Sequence, residues 1–251
     1  MPAKPFCAIL RFYEELNDFL PAKFRKAAIE YRFRDNPSIK DVIEAHHVPH
    51  TEVDLVIANG ESVGFAYHLK DGDHVSVYPT YEGIDIRSIV KLRPNPLRRT
   101  AFILDVHLGT LAARLRMIGM DTVFGPQFDD KQIIEQALAE HRIILTRDRG
   151  LLQHRAVTHG YCVRSDDVNR QTIEVIRRFD LRDCIRPFTR CIRCNGNLNP
   201  VSKANILDRL QPLTRKHYHH FAICDVCGNV YWKGSHHEKL MQVVEWVQRE
   251  A

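Results

Sequence analysis

Four cysteines near the C-terminus, Cys191 and Cys194 followed by Cys224 and Cys227, form two C-x-x-C pairs, each trailed by a glycine at Gly196 and Gly228. Two intervening residues let both sulfurs of a pair reach one ion from a tight turn, and two pairs complete a tetrahedral shell with no open position. The pattern therefore predicts a small ribbon stapled by structural zinc, with the glycines letting the backbone fold around the metal. A redox dithiol is the competing reading, but it needs a single pair, usually beside a helix N-terminus. A closed shell of four thiolates performs no chemistry of its own, so the reactive groups have to be sought upstream.

At 251 residues, and roughly 150 residues per domain, the chain has room for about two domains, with the ribbon as a small third unit. Its 44% hydrophobic and 27% charged residues are those of a soluble globular chain and exclude a disordered one. No apolar run approaches the roughly 20 residues needed to cross a bilayer. Met1-Pro2-Ala3-Lys4-Pro5 leads directly into strand-like sequence without a signal-peptide core, so a cytoplasmic location with no membrane partner is expected. Beyond the zinc set, Cys7, Cys162 and Cys184 remain, an odd number that suits a reducing compartment and predicts buried free thiols. The net charge of +5 is unevenly placed. Arg87, Lys91, Arg93, Arg98 and Arg99 crowd one stretch, and Arg182, Arg186, Arg190, Arg193, Lys203, Arg209, Arg215 and Lys216 surround the ribbon. Such clusters can neutralise the phosphates of a nucleic acid, or simply form a solvated surface.

Along the chain, residues 6 to 13 and 27 to 34 read as strands, followed by a short amphipathic helix capped by Ser38 and carrying Ile39, Val42 and Ile43. Strand-like runs at Glu52 to Ala58 and His74 to Tyr78 each adjoin a turn signal, Asn59-Gly60 and Asp71-Gly72-Asp73. This is an α+β order. The stretches Val53 to Glu61 and Leu69 to Pro79 resemble the β-grasp sulfur carriers of thiamine and molybdopterin biosynthesis. Those carriers end in an activated Gly-Gly carboxylate, whereas this chain runs on through Thr80-Tyr81-Glu82-Gly83-Ile84. The resemblance thus implies a ubiquitin-like accessory domain that binds protein or RNA, or packs against its neighbour, rather than a sulfur carrier.

Val90 to Arg99, with Pro94 and Pro96, resists helix and suits a linker. Strands are then expected at Ala101 to Leu104, Asp121 to Phe124, Arg142 to Thr146 and Tyr161 to Arg164. Helices are expected from Leu108 to Ile118, after Asp129 or Asp130, from Leu151 to His159, and after Asp167. Repeated strand-helix alternation predicts a parallel sheet covered on both faces. Ligands gather at the carboxyl ends of such strands, and here those ends are acidic: Asp105, Asp129 and Asp130, Asp148, then Asp166 and Asp167. Converging carboxylates repel one another unless a cation joins them, and oxygen ligands suit Mg²⁺ or Mn²⁺. The same aspartates also stand where helix N-caps are expected, and both readings are open at this point.

The segments Phe102 to Ala112, Phe128 to Lys131, Ile144 to Leu151 and Val163 to Asp167, with both cysteine knuckles, resemble the Mut-seven C-terminal RNase family. That family joins a PIN-like nuclease domain to a zinc ribbon, often behind a β-grasp domain. The resemblance implies an α/β PIN-like parallel sheet with a C-terminal four-cysteine zinc ribbon, plus an N-terminal α+β β-grasp (ubiquitin-like) domain. The corresponding boundaries are 1 to 90 for the β-grasp domain, 91 to 100 for the linker, 101 to 186 for the nuclease domain, and 187 to 251 for ribbon and C-terminal helix. It further implies a metal-dependent ribonuclease with Asp105, Asp130, Asp148 and Asp167 as catalytic carboxylates, Asp105, Asp130 and Asp148 foremost as Mg²⁺ or Mn²⁺ ligands. Asp129 and Asp166 are the alternatives. Arg147 and Arg149 would hold substrate phosphate or pair with carboxylates, and Thr146 would bond a ligand carboxylate or merely finish its strand. His107 could serve as general base, though an exposed helix-start histidine fits as well. His217, Tyr218, His219, His220 and Phe221, beside Arg215 and Lys216, could stack on bases of single-stranded RNA or pack within the ribbon. Tyr231 and Trp232 are expected in its core, and Glu238 to Arg249 as a docking helix. A protein partner for the β-grasp domain is also expected. The competing assignment is a non-catalytic RNA-binding adaptor in which the aspartates only cap helices.

Overall fold

The computed structural model describes residues 5–79, 92 and 100–251, apart from the side chains of 235 and 236. The linker expected at 91 to 100 and the basic cluster at 87 to 99 lie almost wholly outside the described residues. The chain divides into two compact units, one made of Met1–Arg98 with Asp148–Cys162, the other of Arg99–Arg147 with Val163–Ala251.

The first unit is built on strands β1 (Phe6–Phe12) and β2 (Ile29–Phe33), helix α1 (Ile39–Ala45), and strands β3 (Val53–Ala58), β4 (Glu61–Ser62) and β5 (His74–Pro79). They form one mixed sheet in the order β2-β1-β5-β3-β4, with β1 parallel to β5 and the other pairs antiparallel. Alternation along β1 buries Ala8, Leu10 and Phe12 on the face toward the core. The Ser38 hydroxyl caps α1 by accepting from Asp41 N, and Ile39, Val42 and Ile43 are fully buried. Asp73 closes the turn before β5, its carboxylate accepting from Lys70 N, Asn59 Nδ2 and the Tyr67 hydroxyl, each at 2.8 Å. This is the expected β-grasp.

The second unit opens with β6 (Phe102–Leu104), α2 (Gly109–Met117), β7 (Thr122–Phe124), α3 (Asp130–Glu140) and β8 (Ile143–Thr146). Within it β6 is central, parallel to β7 on one side and to β8 on the other. Phe102, Ile103 and Leu104 have no solvent exposure, which explains a strand apolar at every position rather than at alternate ones. Burial on that scale stabilises by about 1.5–3 kcal/mol per side chain. Helix α2 stops at Gly119 for two reasons: its φ is +95°, and a Cβ there would fall 2.2 Å from the carbonyl oxygen of Arg186.

The next segment, with α4 (Arg149–Gln153) and β9 (Gly160–Cys162), belongs to the first unit. Buried polar groups hold it there: Glu52 accepts from Cys162 N at 2.5 Å, and His50 Nε2 lies 2.7 Å from the Val157 carbonyl. The helix expected from Leu151 to His159 is thus displaced, starting behind the Asp148 cap and ending where His154 turns extended.

The chain then returns to the second unit through α5 (Val168–Arg178), capped by Asp167. The ribbon follows as an antiparallel sheet β10 (Leu198–Val201), β11 (Phe221–Cys224) and β12 (Val230–Trp232), with α6 (Pro212–His217) between its first two strands. Ile206, Leu210 and Phe221 form its small core. Helix α7 (Ser235–Glu250) buries Val244 and Val247 and packs against α5. Of the three remaining cysteines only Cys162 is buried. Cys184 is exposed in a surface turn and Cys7 sits half-buried, because β1 turns its odd residues from the core, correcting the expectation of buried thiols.

Candidate functional site

The cysteine site is assembled from two turns. At the first, Cys191 N donates to the Gly196 carbonyl at 2.7 Å; at the second, Gly228 N donates to the Cys224 carbonyl at 3.1 Å. Gly228 takes a φ of +68°, as expected of a turn glycine. At the first turn it is Asn195, with φ 71°, that adopts the left-handed conformation. Gly196 is required for a different reason, since a Cβ would fall 2.6 Å from the Cys224 sulfur.

The four Sγ atoms lie within 4.8 Å of one another. The Cys191–Cys227 pair is separated by 3.7 Å and the Cys194–Cys224 pair by 3.4 Å. A tetrahedral zinc ion with Zn–S bonds of about 2.3 Å needs S–S edges of about 3.8 Å, so the set can hold one such metal ion. The Tyr231 hydroxyl lies 3.0 Å from Cys191 Sγ. Burial alone would raise the Cys191 pKa, but the tyrosine hydroxyl and the backbone amides of Cys194 and Arg193 outweigh it and bring the thiol to about 7. Burial and the neighbouring thiols push Cys194 up to about 12.

Two polar ties, neither evident in the sequence, fasten the first knuckle to the sheet. Arg116, buried on α2, donates from Nε to the Thr122 carbonyl at 2.8 Å and from Nη1 to the carbonyls of Ile192 and Arg193 at 3.1 and 3.0 Å. Asp121, just before β7, accepts from Arg142 and Asn195 at 2.8 Å each and from Arg190 at 3.2 Å.

The carboxylates fall at element ends as expected. Asp105 ends β6 and is 5% exposed. Its Oδ1 accepts from His107 N at 2.8 Å, while Oδ2 accepts from the Thr146 hydroxyl and from Arg147 N, the latter at 3.2 Å. Thr146 is fully buried, so the end of β8 holds the carboxylate that ends β6. Asp129 forms a capping box with Gln132, and Asp130 is the exposed first residue of α3. Asp167 accepts from Asn169 N and Arg170 N at 3.1 and 3.0 Å. Asp166 is ion-paired with Arg147. Their loop is held by Glu174 of α5, which accepts from Arg164 N at 2.7 Å and Ser165 N at 3.1 Å. In the other unit, exposed Asp148 caps α4 by accepting from Gly150 N at 2.7 Å, and the Arg149 guanidinium lies 4.9 Å from the Phe19 ring centroid.

Capping bonds are therefore real at Asp105, Asp129, Asp148 and Asp167. Among the described residues, the four cysteines are the one group of three or more His, Cys, Asp or Glu side chains placed to hold a metal ion. His107 is exposed, and so is Trp232, at 41%, against the expectation of a core residue. The ribbon's core is small and already filled by Ile206, Leu210 and Phe221, with Tyr218 packed on it.

The family model described as the Mut7-C RNAse domain matches residues 100–244, spanning both the parallel sheet and the ribbon. The chain belongs to this family. The Mut7-C ubiquitin model matches residues 6–85, the β-grasp sheet. Among solved structures, the crystal structure of SAMP1 from Haloferax volcanii is similar at 15% identity, covering 31% of this chain and 99% of that one with a TM-score of 0.25. No curated protein matches. The Mut7-C RNAse domain therefore contains the strand ends bearing Asp105, Asp129, Asp130, Asp148, Asp166 and Asp167, as well as the cysteine site. Among the described residues no helix is long and apolar enough to cross a membrane.

Proposed function

We propose that the chain is a metal-dependent ribonuclease that hydrolyses phosphodiester bonds of single-stranded RNA. The observation that chiefly supports this is the match of residues 100–244 to the RNAse domain. Asp105 supports it further, as a buried carboxylate at the end of the central strand, fixed in orientation by Thr146. In this reading Asp105, Asp130, Asp148 and Asp167 are the catalytic carboxylates, with Asp129 and Asp166 as alternatives. Their all-oxygen donor set suits Mg²⁺ or Mn²⁺, which when bound would activate water and offset charge developing at phosphorus. Thr146 and Arg147 N fix the Asp105 carboxylate, so little reorganisation is needed to present it. Arg147 and Arg149 are assigned to substrate phosphate, Arg147 exchanging its pairing with Asp166 for the ligand. The cysteine site is assigned to structural zinc, with domain boundaries at 1 to 90, 101 to 186 and 187 to 251, a cytoplasmic setting and a protein partner for the β-grasp domain.

One observation favours the adaptor reading: four of the aspartates accept backbone amides as helix caps. A capping bond takes one lone pair of a carboxylate. Among the described residues, Asp105 Oδ1 accepts from His107 N alone while Oδ2 accepts from Thr146 and Arg147 N, so Oδ1 keeps a lone pair for a ligand, and capping and metal binding are compatible. Incubation of the purified chain with single-stranded RNA and Mn²⁺ separates the two. The nuclease reading expects cleavage that EDTA and Asp148→Asn each abolish; salt-dependent binding with no cleavage of any RNA supports the adaptor.

A further inference from the structure

The ribbon carries a groove of ≈ 1260 Å³ that the carboxylate chemistry does not use. Small-molecule pockets usually enclose roughly 300–1,000 Å³, so the groove suits a length of polymer. Trp232, Tyr218, His219, His220, His237 and Lys233 are among its lining, and no aspartate or glutamate is among the described lining residues. Trp232 is 41% exposed. It stands beside Tyr218, their ring centroids 6.4 Å apart at 43°, while Tyr218 is itself packed on the ribbon core. One ring is thus anchored and its neighbour presented to solvent. Gly234 leaves room for both, since a Cβ there would fall 3.1 Å from the indole Nε1 and 3.4 Å from the Tyr218 hydroxyl. Around the rings, His219, His220 and Lys233 are exposed.

A solvent-facing indole beside Lys233 and the exposed imidazoles of His219 and His220, with no carboxylate in the described lining, matches the two chemical surfaces of an unpaired strand, flat bases and anionic phosphates. An acidic peptide would use Lys233 and leave the rings without a purpose. A duplex would hide its bases from them. We propose that this groove binds single-stranded RNA, with Trp232 as a stacking platform and Lys233, His219 and His220 facing the backbone. The choice of RNA rests on the nuclease reading above; the groove itself rests on its lining.

The test is fluorescence anisotropy of a short labelled oligouridine against the full-length chain without added divalent ions, with zinc content and circular dichroism confirming that each variant is folded. Trp232→Ala is expected to weaken binding about tenfold and Trp232→Phe, which keeps a ring, by less than about threefold. Lys233→Gln should reduce the salt dependence by about one phosphate. Affinities of Trp232→Ala and Lys233→Gln equal to the parent's would overturn the proposal, as would a parent that binds duplex RNA of equal length more tightly. Cleavage is scored separately, at saturating RNA with Mn²⁺. Failure of the groove leaves Asp105-dependent cleavage intact, whereas failure of the nuclease reading leaves Trp232-dependent binding without cleavage.

Discussion

Asp121 joins three groups from different parts of its unit, and its removal has a calculable cost. The side chains of Asp121 and Arg142 are each 11% exposed, and that of Arg190 is 15% exposed. Removing one member of a buried ion pair costs about 3–5 kcal/mol, because the partner's charge is left in a poorly solvated site. In Asp121→Ala, Arg142 would keep Glu140 at 2.6 Å and the Phe102 carbonyl at 3.2 Å, and Arg190 would keep the Asn195 carbonyl at 2.9 Å. Those residual partners place the expected loss near the lower figure, about 3 kcal/mol. At roughly 2–4 °C per kcal/mol for a unit of this size, thermal unfolding should begin about 6–12 °C lower. The pH dependence follows with a definite sign. Burial would raise the Asp121 pKa, but hydrogen bonds from Arg142 and Asn195 and the charges of Arg142 and Arg190 outweigh it and hold the carboxyl below its usual range. The stabilisation is therefore complete above the unfolded-state pKa of about 3.9 and is lost as pH falls through the lower folded value. Differential scanning calorimetry of Asp121→Ala and Asp121→Asn across that acid range is the assay. Unfolding temperatures within about 1 °C of the parent at neutral pH, with an unchanged acid limb, would refute the reasoning.

Other consequences follow from single contacts. Thr146→Val removes a buried hydroxyl from the Asp105 carboxylate and should cost about 1.5–3 kcal/mol in denaturant titrations, with Thr146→Ser recovering most of it. Gly119→Ala combines backbone strain with a Cβ 2.2 Å from the Arg186 carbonyl, so a loss of about 2–6 kcal/mol is expected; a neutral result would contradict the geometry. Cys224→Ser should abolish stoichiometric zinc by elemental analysis and unfold the ribbon, given that structural zinc supplies roughly 10–16 kcal/mol in small domains.

What the sequence discloses here depends on how local each cause is. The cysteine spacing, the Ser38 cap and the uninterrupted apolar run of β6 are set within a few residues, and each is found where it is expected. The acidic strand ends are legible for the same reason. The ties that decide position are long-range and carry no local signature: Arg116 reaches Ile192 and Arg193 across the chain, and Glu52 meets Cys162. An arginine in an amphipathic helix reads as surface until its partners are known. Trp232 shows the opposite error. A large ring near a cysteine knuckle suggests core, yet the ribbon's small interior is already filled by Ile206, Leu210 and Phe221.

The most direct measurement is the rate at which the purified chain cleaves single-stranded RNA with Mn²⁺, compared with Asp105→Asn under the same conditions. Asparagine keeps the shape of the side chain and an oxygen for the Thr146 hydroxyl while removing the charge that would hold a divalent ion. Cleavage should fall at least about 100-fold with zinc content preserved, while the unfolding temperature drops modestly because the new amide faces the His107 N–H that Asp105 Oδ1 accepted. Cleavage by Asp105→Asn at the parent's rate would contradict the nuclease reading.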